Sequence, residues 1–283
     1  MRLAPLRRWT PSAFRVFGTV GAVVLVTAPT AISAQLVEFP VQVEEGTVFH
    51  RVVSVTAQTE SPRGSGLDES RTTARIRVTE MQDDGSGTLE VFIESIRIRS
   101  ESPHRGLIEW DSTTDPVVTD EADLALYGAL VGRRFSFPFL AGGVVDMAPF
   151  MEPRESEAET LELWTLVTLA GPQDRADGLP TGFPPALRTG VPHQVLAPFG
   201  SRGAGLLSYT LVEVEESGSR QVARVEISGE GRSQEGVSQY SGHILFDLDT
   251  GRMVEEVRVL EQRMGEPGNS GTYIMETRTE RVR

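Results

Sequence analysis

Hydrophobic and polar residues alternate with a period of two along most of the chain. The pattern is clear in three segments, at 48–56, 89–94 and 223–228. A period of two places every second side chain on the same face, so these segments are predicted to be β-strands. Short turns that contain Gly follow several strands, at 83–85, 216–218 and 249–251. Because Gly supplies the positive φ of tight turns, and helical patterns between successive strands are missing, the pattern favours antiparallel hairpins over βαβ units.

Two segments break the alternation and favour helices. The run from Thr119 to Gly132 begins with a capping residue and acidic residues, and continues with good helix formers. In 155–170, acidic residues come first, and apolar residues recur at i, i+3, i+4 and i+7 from Leu163. This spacing predicts a second helix. The β-branched residues within 165–168 leave a strand as the alternative.

The segment at 171–205 is rich in Pro and Gly, which predicts a long crossover with only short ordered pieces. The segments on its two sides follow the same order: a strand, a Gly turn, a longer strand and a Gly-x-x-x-aromatic-Asp motif. This motif stands at Gly106–Asp111 and again at Gly242–Asp247. The order predicts two related halves, at about 35–150 and 183–283, in a single β-rich domain. The alternative is that unrelated hairpins share the same turn chemistry.

Together these patterns predict a mainly β fold. We expect a large curved antiparallel sheet or half-open barrel, built from two related halves with one or two packed helices. The predicted helix at 155–170 and the crossover at 171–205 join the two halves.

The first 34 residues have the organisation of a secretory signal peptide. They contain four Arg and no acidic residue, with an apolar run of 13 residues at 16–28 and small residues after it. This order predicts cleavage between Ala34 and Gln35. An uncleaved membrane anchor is the alternative, although a spanning helix needs about 20 apolar residues. We therefore expect an exported protein of the bacterial envelope, either periplasmic or secreted.

Composition and charge narrow the possible partners. The residues after position 34 contain 23 Arg and 40 acidic residues, which gives a formal charge of −17. Such an acidic surface repels phosphate backbones, so no nucleic-acid partner is expected. No later segment has the apolar length of a membrane span, so no transmembrane segment is expected in the mature chain. The chain has no Cys, which excludes disulfides, thiolate metal sites and Cys nucleophiles.

Motifs for catalysis or metal binding are sparse. The chain contains four histidines, at His50, His104, His193 and His243. None of them has a partner at metal-ligand spacing. The acidic string at 247–251 lacks the later Ca²⁺ ligands, and it is interpreted as a turn in which Asp247 and Asp249 cap backbone groups. No serine-nucleophile or dinucleotide-binding motif occurs between a strand and a helix, so neither a metal nor a cofactor is predicted.

Apolar surface is the remaining functional candidate. Phe135, Phe137 and Phe139 alternate in a predicted hairpin whose turn contains Gly142 and Gly143. A curved sheet can leave such a hairpin partly open as the lining of a cavity, whereas facing strands bury it as ordinary core. The residues predicted to line this cavity are Phe135, Phe137, Phe139, Trp110, Trp164 and Phe246.

These motifs resemble those of a family of exported bacterial β-rich proteins that is classed as a domain of unknown function. The resemblance rests on the two Gly-x-x-x-aromatic-Asp motifs, the Thr250-Gly251 hairpin and the Pro-rich crossover, and it covers about Phe39 to the C-terminus. It implies a fold and an exported location, and no activity. The architecture is also similar, more loosely, to the half-open barrels of periplasmic lipoprotein carriers, which hold acyl chains against a concave apolar face.

Three functional hypotheses from different classes follow. The first is an exported non-enzymatic protein that binds an apolar small molecule or an envelope protein on a concave sheet face. The second is a hydrolase of an envelope polymer with a dispersed His/Asp/Glu site, which requires His50, His193 or His243 to meet acidic residues in one cleft. The third is a structural surface protein with a fully packed sheet and an exposed apolar patch.

Overall fold

The computed structural model describes most of the chain after position 34. The described residues are 35–39, 43–61, 64–103, 105–115, 122–146, 179–180, 182–199, 203–217, 220–233, 236–264 and 271–282. The predicted signal peptide and the predicted helix at 155–170 lie outside them. Residues Ala34–Arg283 group as one compact unit.

Within this described part the chain forms thirteen strands and one helix. The elements before the crossover are β1 (Leu36–Glu38), β2 (Val48–Ser61), β3 (Gly64–Met81), β4 (Gly87–Ser102), β5 (Gly106–Asp111), α1 (Ala122–Leu130) and β6 (Arg134–Phe139). The later elements are β7 (Ala186–Arg188), β8 (His193–Phe199), β9 (Gly203–Ser217), β10 (Arg220–Ser233), β11 (Gly236–Asp247), β12 (Arg252–Met264) and β13 (Gly271–Val282).

Eleven of the strands form one large sheet. Its order is β5-β4-β3-β2-β13-β12-β11-β10-β9-β8, and β6 pairs with β4 beside β5. Adjacent strands are antiparallel throughout. The sheet is not closed into a barrel, and β1 with β7 forms a separate two-stranded sheet. The predicted fold class, one large antiparallel sheet with little helix, is confirmed.

The same strand order occurs twice in the sheet. The strands β5-β4-β3-β2 lie at one end, and β11-β10-β9-β8 lie at the other in the same sequence. The remaining strands, β12 and β13, lie between these two sets. The sheet becomes continuous because β13 pairs with β2 from Val282↔His50 to Thr272↔Glu60.

The predicted turns at 83–85 and 249–251 and the first predicted helix are present. Gly218 of the predicted turn at 216–218 lies outside the described residues. Gly85 has φ 83° and Gly251 has φ 62°, which are left-handed conformations that Gly adopts without steric cost. Asp247 Oδ1 accepts hydrogen bonds from the backbone N–H groups of Asp249 and Thr250, both at 3.0 Å. The prediction that the acidic string at 247–251 is a backbone-capping turn is therefore confirmed. The helix α1 ends just before Gly132, whose φ is 82°.

The predicted crossover contains more β-structure than the sequence indicates. Its described residues include all of β7 and β8, and β8 is the last strand of the large sheet. Pro198 lies within β8. A central strand rarely tolerates Pro because its N–H is missing from the ladder, whereas an edge strand tolerates it.

The hydrophobic interior consists of two separate clusters. The first cluster is Phe49, Val53, Ala74, Ile76, Val78, Leu89, Val91, Ile93, Ile96, Ile98, Trp110, Leu124, Leu130, Phe135, Phe137, Phe139 and Val145. The second cluster is Val37, Phe39, Leu179, Phe183, Leu187, Tyr209, Leu211, Ala223, Val225, Ile227, Ile244, Phe246 and Met253. In the second cluster the ring of Phe39 meets those of Phe183 and Phe246 edge-on, with centroids 5.1 and 5.0 Å apart. Each half of the sheet therefore has its own core.

Two residues of one hairpin, Phe137 and Leu140, are expected to contribute very differently to the free energy of unfolding. Phe137 is fully buried, whereas Leu140, three residues later, is exposed. Phe137→Ala is expected to lower the free energy of unfolding by about 3–5 kcal/mol, because it removes a buried ring and leaves a cavity. Leu140→Ala is the matched control and is expected to change it by less than about 0.5 kcal/mol. Urea denaturation of both variants measures this contrast, and similar losses in the two would contradict it.

Candidate functional site

One face of the large sheet is buried along a continuous row of side chains. Residues directly opposite each other on antiparallel strands point to the same face, so the observed pairs trace such a row across strands β9, β10, β11, β12, β13, β2, β3 and β4. In that order the row is Leu211, Val225, Ile244, Glu256, Thr279, Val53, Thr72 and Ile96. All eight residues are buried. We call this side of the sheet the covered face and the opposite side the outer face.

The middle of the covered face is polar. Glu256 is 2% exposed and Thr279 is 3% exposed, and the two lie opposite each other on β12 and β13. Arg258 donates from Nε to Oε1 of Glu256 at 2.6 Å and from Nη2 to Oε2 at 2.8 Å. This two-point pairing compensates the buried carboxylate, because a planar guanidinium matches the geometry of both oxygens.

Two further arginines lie on the same face. Arg51, two residues before Val53, is 5% exposed and stands directly opposite Arg281. The guanidinium carbon of Arg281 lies 3.8 Å from the centroid of the Phe49 ring, at the margin of the first cluster. We call Arg51, Glu256, Arg258, Thr279 and Arg281 the polar centre. It separates the two hydrophobic clusters.

A short apolar row crosses the covered face beside the polar centre. It consists of Tyr240, Leu260, Met275 and Ala57, which lie opposite one another on β11, β12, β13 and β2. All four side chains are partly exposed, and neither hydrophobic cluster includes them. Burial raises the pKa of the Tyr240 hydroxyl, and the nearby charge of Arg258 acts in the opposite direction. We call these four residues the middle strip.

The structure places the six sequence-predicted ligand residues in different surroundings. Phe135, Phe137, Phe139 and Trp110 are brought together in the first cluster, and all are buried. Phe246 is buried in the second cluster, at the other end of the sheet. Trp164 lies outside the residues that the structure describes. The indole N–H of Trp110 donates to the backbone oxygen of Asp115 at 2.9 Å.

The middle strip was missed by the sequence analysis. Its members belong to alternating segments, so the alternation shows that each can face a core. However, four residues from four strands form one row only once the register of every pair is known. No local pattern carries this information.

The described histidines do not meet. His50 Nδ1 lies 3.0 Å from Glu94 Oε2, and His243 Nε2 lies 3.7 Å from Glu255 Oε1. Both pairs are on the outer face, and they are roughly 20 Å apart by strand spacing and residue rise. His193 is exposed on β8, and His104 is not among the described residues. The single cleft that the hydrolase hypothesis requires is not formed by these three histidines.

The outer face carries exposed ion pairs. Arg97 donates from Nε to Oδ2 of Asp111 at 2.7 Å, and Arg99 Nε lies 3.4 Å from Glu109 Oε1. Hydrogen bonds from Thr113, followed by the Arg97 guanidinium, lower the pKa of Asp111 to about 2. Arg97 and Arg99 therefore lie on a solvated face beside acidic residues.

The described part of the chain contains neither a candidate membrane helix nor a candidate metal site. No helix within it is long and apolar enough to cross a membrane. No group of three or more His, Asp or Glu residues within it could hold a metal ion.

The buried ion pair predicts a non-additive effect on stability. Arg258→Met leaves the Glu256 carboxylate buried without its guanidinium, so we expect a loss of about 3–5 kcal/mol in the free energy of unfolding. Adding Glu256→Gln to that variant is expected to recover part of the loss, because the buried charge is removed. On the same strand, Arg263 and Glu261 form an exposed pair with the same spacing, so Arg263→Met is expected to cost under about 1 kcal/mol. Urea denaturation checks these values, and equal losses for Arg258→Met and Arg263→Met would contradict the buried-pair account.

The raised pKa of Tyr240 predicts a loss of stability at alkaline pH. The unfolded chain releases the Tyr240 proton near the ordinary tyrosine value, while the folded chain retains it to higher pH. Its contribution to stability is therefore complete below that value and is lost as pH rises through the folded pKa. The difference in absorbance at 295 nm between the wild type and Tyr240→Phe isolates this titration. A midpoint at or below the ordinary tyrosine value would contradict the burial of this hydroxyl.

The comparisons with known proteins leave the family open. No family model matches the sequence, and no curated protein matches it. Among solved structures, a lipovitellin structure on lipid–protein interactions has a TM-score of 0.48 and 8% identity, and covers 86% of this chain. DynF from the dynemicin pathway of Micromonospora chersina covers 88% of this chain and 85% of its own at TM-score 0.22 and 8% identity. The S-type phycobiliprotein lyase CPES from Guillardia theta covers 82% of this chain and 87% of its own, at TM-score 0.23 and 8% identity. The chain spans 26% of the length of the lipovitellin chain.

Proposed function

We propose that this chain is an exported, non-enzymatic protein that binds an apolar ligand on the covered face of its sheet. The middle strip is the observation that carries the proposal. It is a row of apolar and aromatic side chains that are partly exposed, although they lie on the face that is buried elsewhere.

The position of the middle strip supports a ligand surface. Its four members lie on four adjacent strands, so the strip is about 14 Å long. A sheet positions such side chains rigidly, and a small number of polar groups at its margin can orient a bound molecule. Arg258 and Thr277 lie between the strip and the buried row, and they supply polar groups of this kind.

The hydrophobic clusters at the two ends define the extent of the surface. The ligand residues predicted from the sequence lie in these clusters, apart from Trp164, and they are buried. In this proposal they support the ends of the sheet, and the middle strip makes the principal contact with the ligand. Export is proposed because the first 34 residues have the charged, apolar and small-residue order of a signal peptide.

Binding of a fluorescent fatty acid tests the proposal. The probe is 12-anthroyloxy-stearate, added to the purified chain after extraction of any bound lipid. Replacing both Leu260 and Met275 by Gln is expected to weaken binding at least tenfold, because each buried apolar side chain contributes about 1.5–3 kcal/mol and 1.4 kcal/mol is tenfold in affinity. Ile274→Gln is the matched control, because Ile274 neighbours Met275 on the outer face. It is expected to change affinity less than about twofold.

The binding experiment and three further measurements separate the three hypotheses. The further measurements are lipid extraction, native mass spectrometry and an assay of polymer cleavage. Equal weakening by Ile274→Gln and by the double Leu260 and Met275 variant would contradict binding at the middle strip. A wild-type chain that binds no probe and yields no apolar molecule on extraction would favour a structural surface protein. Native mass spectrometry of the untreated chain identifies the class of any bound molecule. Conversion of a bound envelope polymer into shorter products would favour the hydrolase hypothesis.

A further inference from the structure

One edge of the large sheet is left open by the described part of the chain. The sheet ends at β8, which pairs with β9 on one side. No strand in the described part of the chain pairs with its other side. An edge strand presents backbone N–H and C=O groups that can pair with another chain, so natural proteins often protect it with charged residues or Pro.

β8 has no charged residue. Its sequence from His193 to Phe199 contains no Asp, Glu or Arg, although the chain has 40 acidic residues and 27 Arg. At the opposite end of the sheet, β5 carries Glu109 and Asp111. Pro198 is the only residue of β8 that cannot donate a backbone hydrogen bond, and it lies near one end of the strand.

The edge also exposes a pair of leucines. Leu196 is 77% exposed and lies directly opposite Leu206 of β9, which is 51% exposed. The two side chains therefore project from the same face and form an apolar patch at the edge. The outer face elsewhere carries charged residues in ion pairs.

We propose that β8 is a self-association edge, at which a second copy of this chain pairs antiparallel about a two-fold axis through Leu196. Leu196 is the central residue of β8, with three residues on each side. A two-fold axis there places each Leu196 opposite the same residue of the second copy, and it joins the two leucine pairs into one patch. The paired edges extend the sheet through both copies.

The absence of charged residues from β8 makes this edge suitable for a second copy. Two molecules with a formal charge of −17 after position 34 repel each other over most of their surfaces. The edge at β8 is an uncharged strand, so it matches itself and brings no like charges together along β8. Because one strand and two leucines bury little area, the dimer is expected to be weak, with a dissociation constant in the micromolar range or above.

Sedimentation velocity of the full chain between about 1 and 300 μM tests this edge. The wild type is expected to shift from monomer to dimer with concentration. Leu196→Glu places two like charges at the axis and is expected to raise the dissociation constant at least tenfold. Leu107→Glu is the matched control, because Leu107 is a 54% exposed leucine on β5. It is expected to leave the dissociation constant within about twofold of the wild type.

A mixing experiment tests the symmetry of the pairing. Leu196→Glu and Leu196→Arg are each expected to be monomeric, because like charges face each other across the axis. Mixed in equal amounts they are expected to form a heterodimer, since opposite charges then face each other. Circular dichroism confirms that each variant is folded.

Three results would overturn the proposal. They are a wild type that stays monomeric at every concentration, equal weakening by Leu107→Glu and Leu196→Glu, and no recovery on mixing the two Leu196 variants. None of them depends on whether the middle strip binds a ligand.

Discussion

The register between β2 and β13 is the constraint on which the rest of the structure depends. These strands come from opposite ends of the described chain, and their pairing joins the two sets of strands into one sheet. Val53 lies opposite Thr279, and this pair connects the buried row of one half to that of the other. Because side chains alternate between faces, a slip of one residue would move one half's buried side chains to the opposite face. Both hydrophobic clusters lie on one face only in the observed register.

The buried row runs without a break across the covered face, but the hydrophobic core is divided into two clusters. The buried row is apolar at both ends, but at the centre it contains Glu256 and Thr279. A buried carboxylate requires its guanidinium and hydrogen-bond donors, so apolar packing is interrupted where Arg258 approaches Glu256. The middle strip lies beside this interruption, outside both clusters. A partly exposed apolar row on a mainly buried face is thus a consequence of the way the two halves meet.

The sequence predicts what is local and misses what is distant. Alternation identifies the strands, and Gly85, Gly132 and Gly251 mark turns or a helix end, because these features depend on a few neighbouring residues. The pairing of β2 with β13 joins residues more than 200 positions apart, which no period in the sequence reveals. The middle strip depends on three registers in succession, and one of them is this distant pairing. The sequence analysis therefore selected the conspicuous phenylalanines of β6.

The edge strand β8 is another feature that the sequence alone does not predict. Gly and Pro around β8 indicate a loop, and Pro198 is compatible with a strand only because β8 lies at the edge of the sheet. Whether a strand is central or peripheral is a property of the whole sheet. For that reason the exposed leucine pair at this edge cannot be inferred from the residues of β8 alone.

The most direct test of the covered face as a ligand surface is methyl NMR in the presence of a spin-labelled fatty acid, 16-doxyl-stearate. Met275 and Ile274 are neighbours in the chain and project from opposite faces of β13. If the account is correct, the label broadens the methyl signals of Met275 and Leu260 and leaves that of Ile274 sharp. Equal broadening of the Ile274 methyl signal would contradict it, and so would the absence of broadening at all three residues.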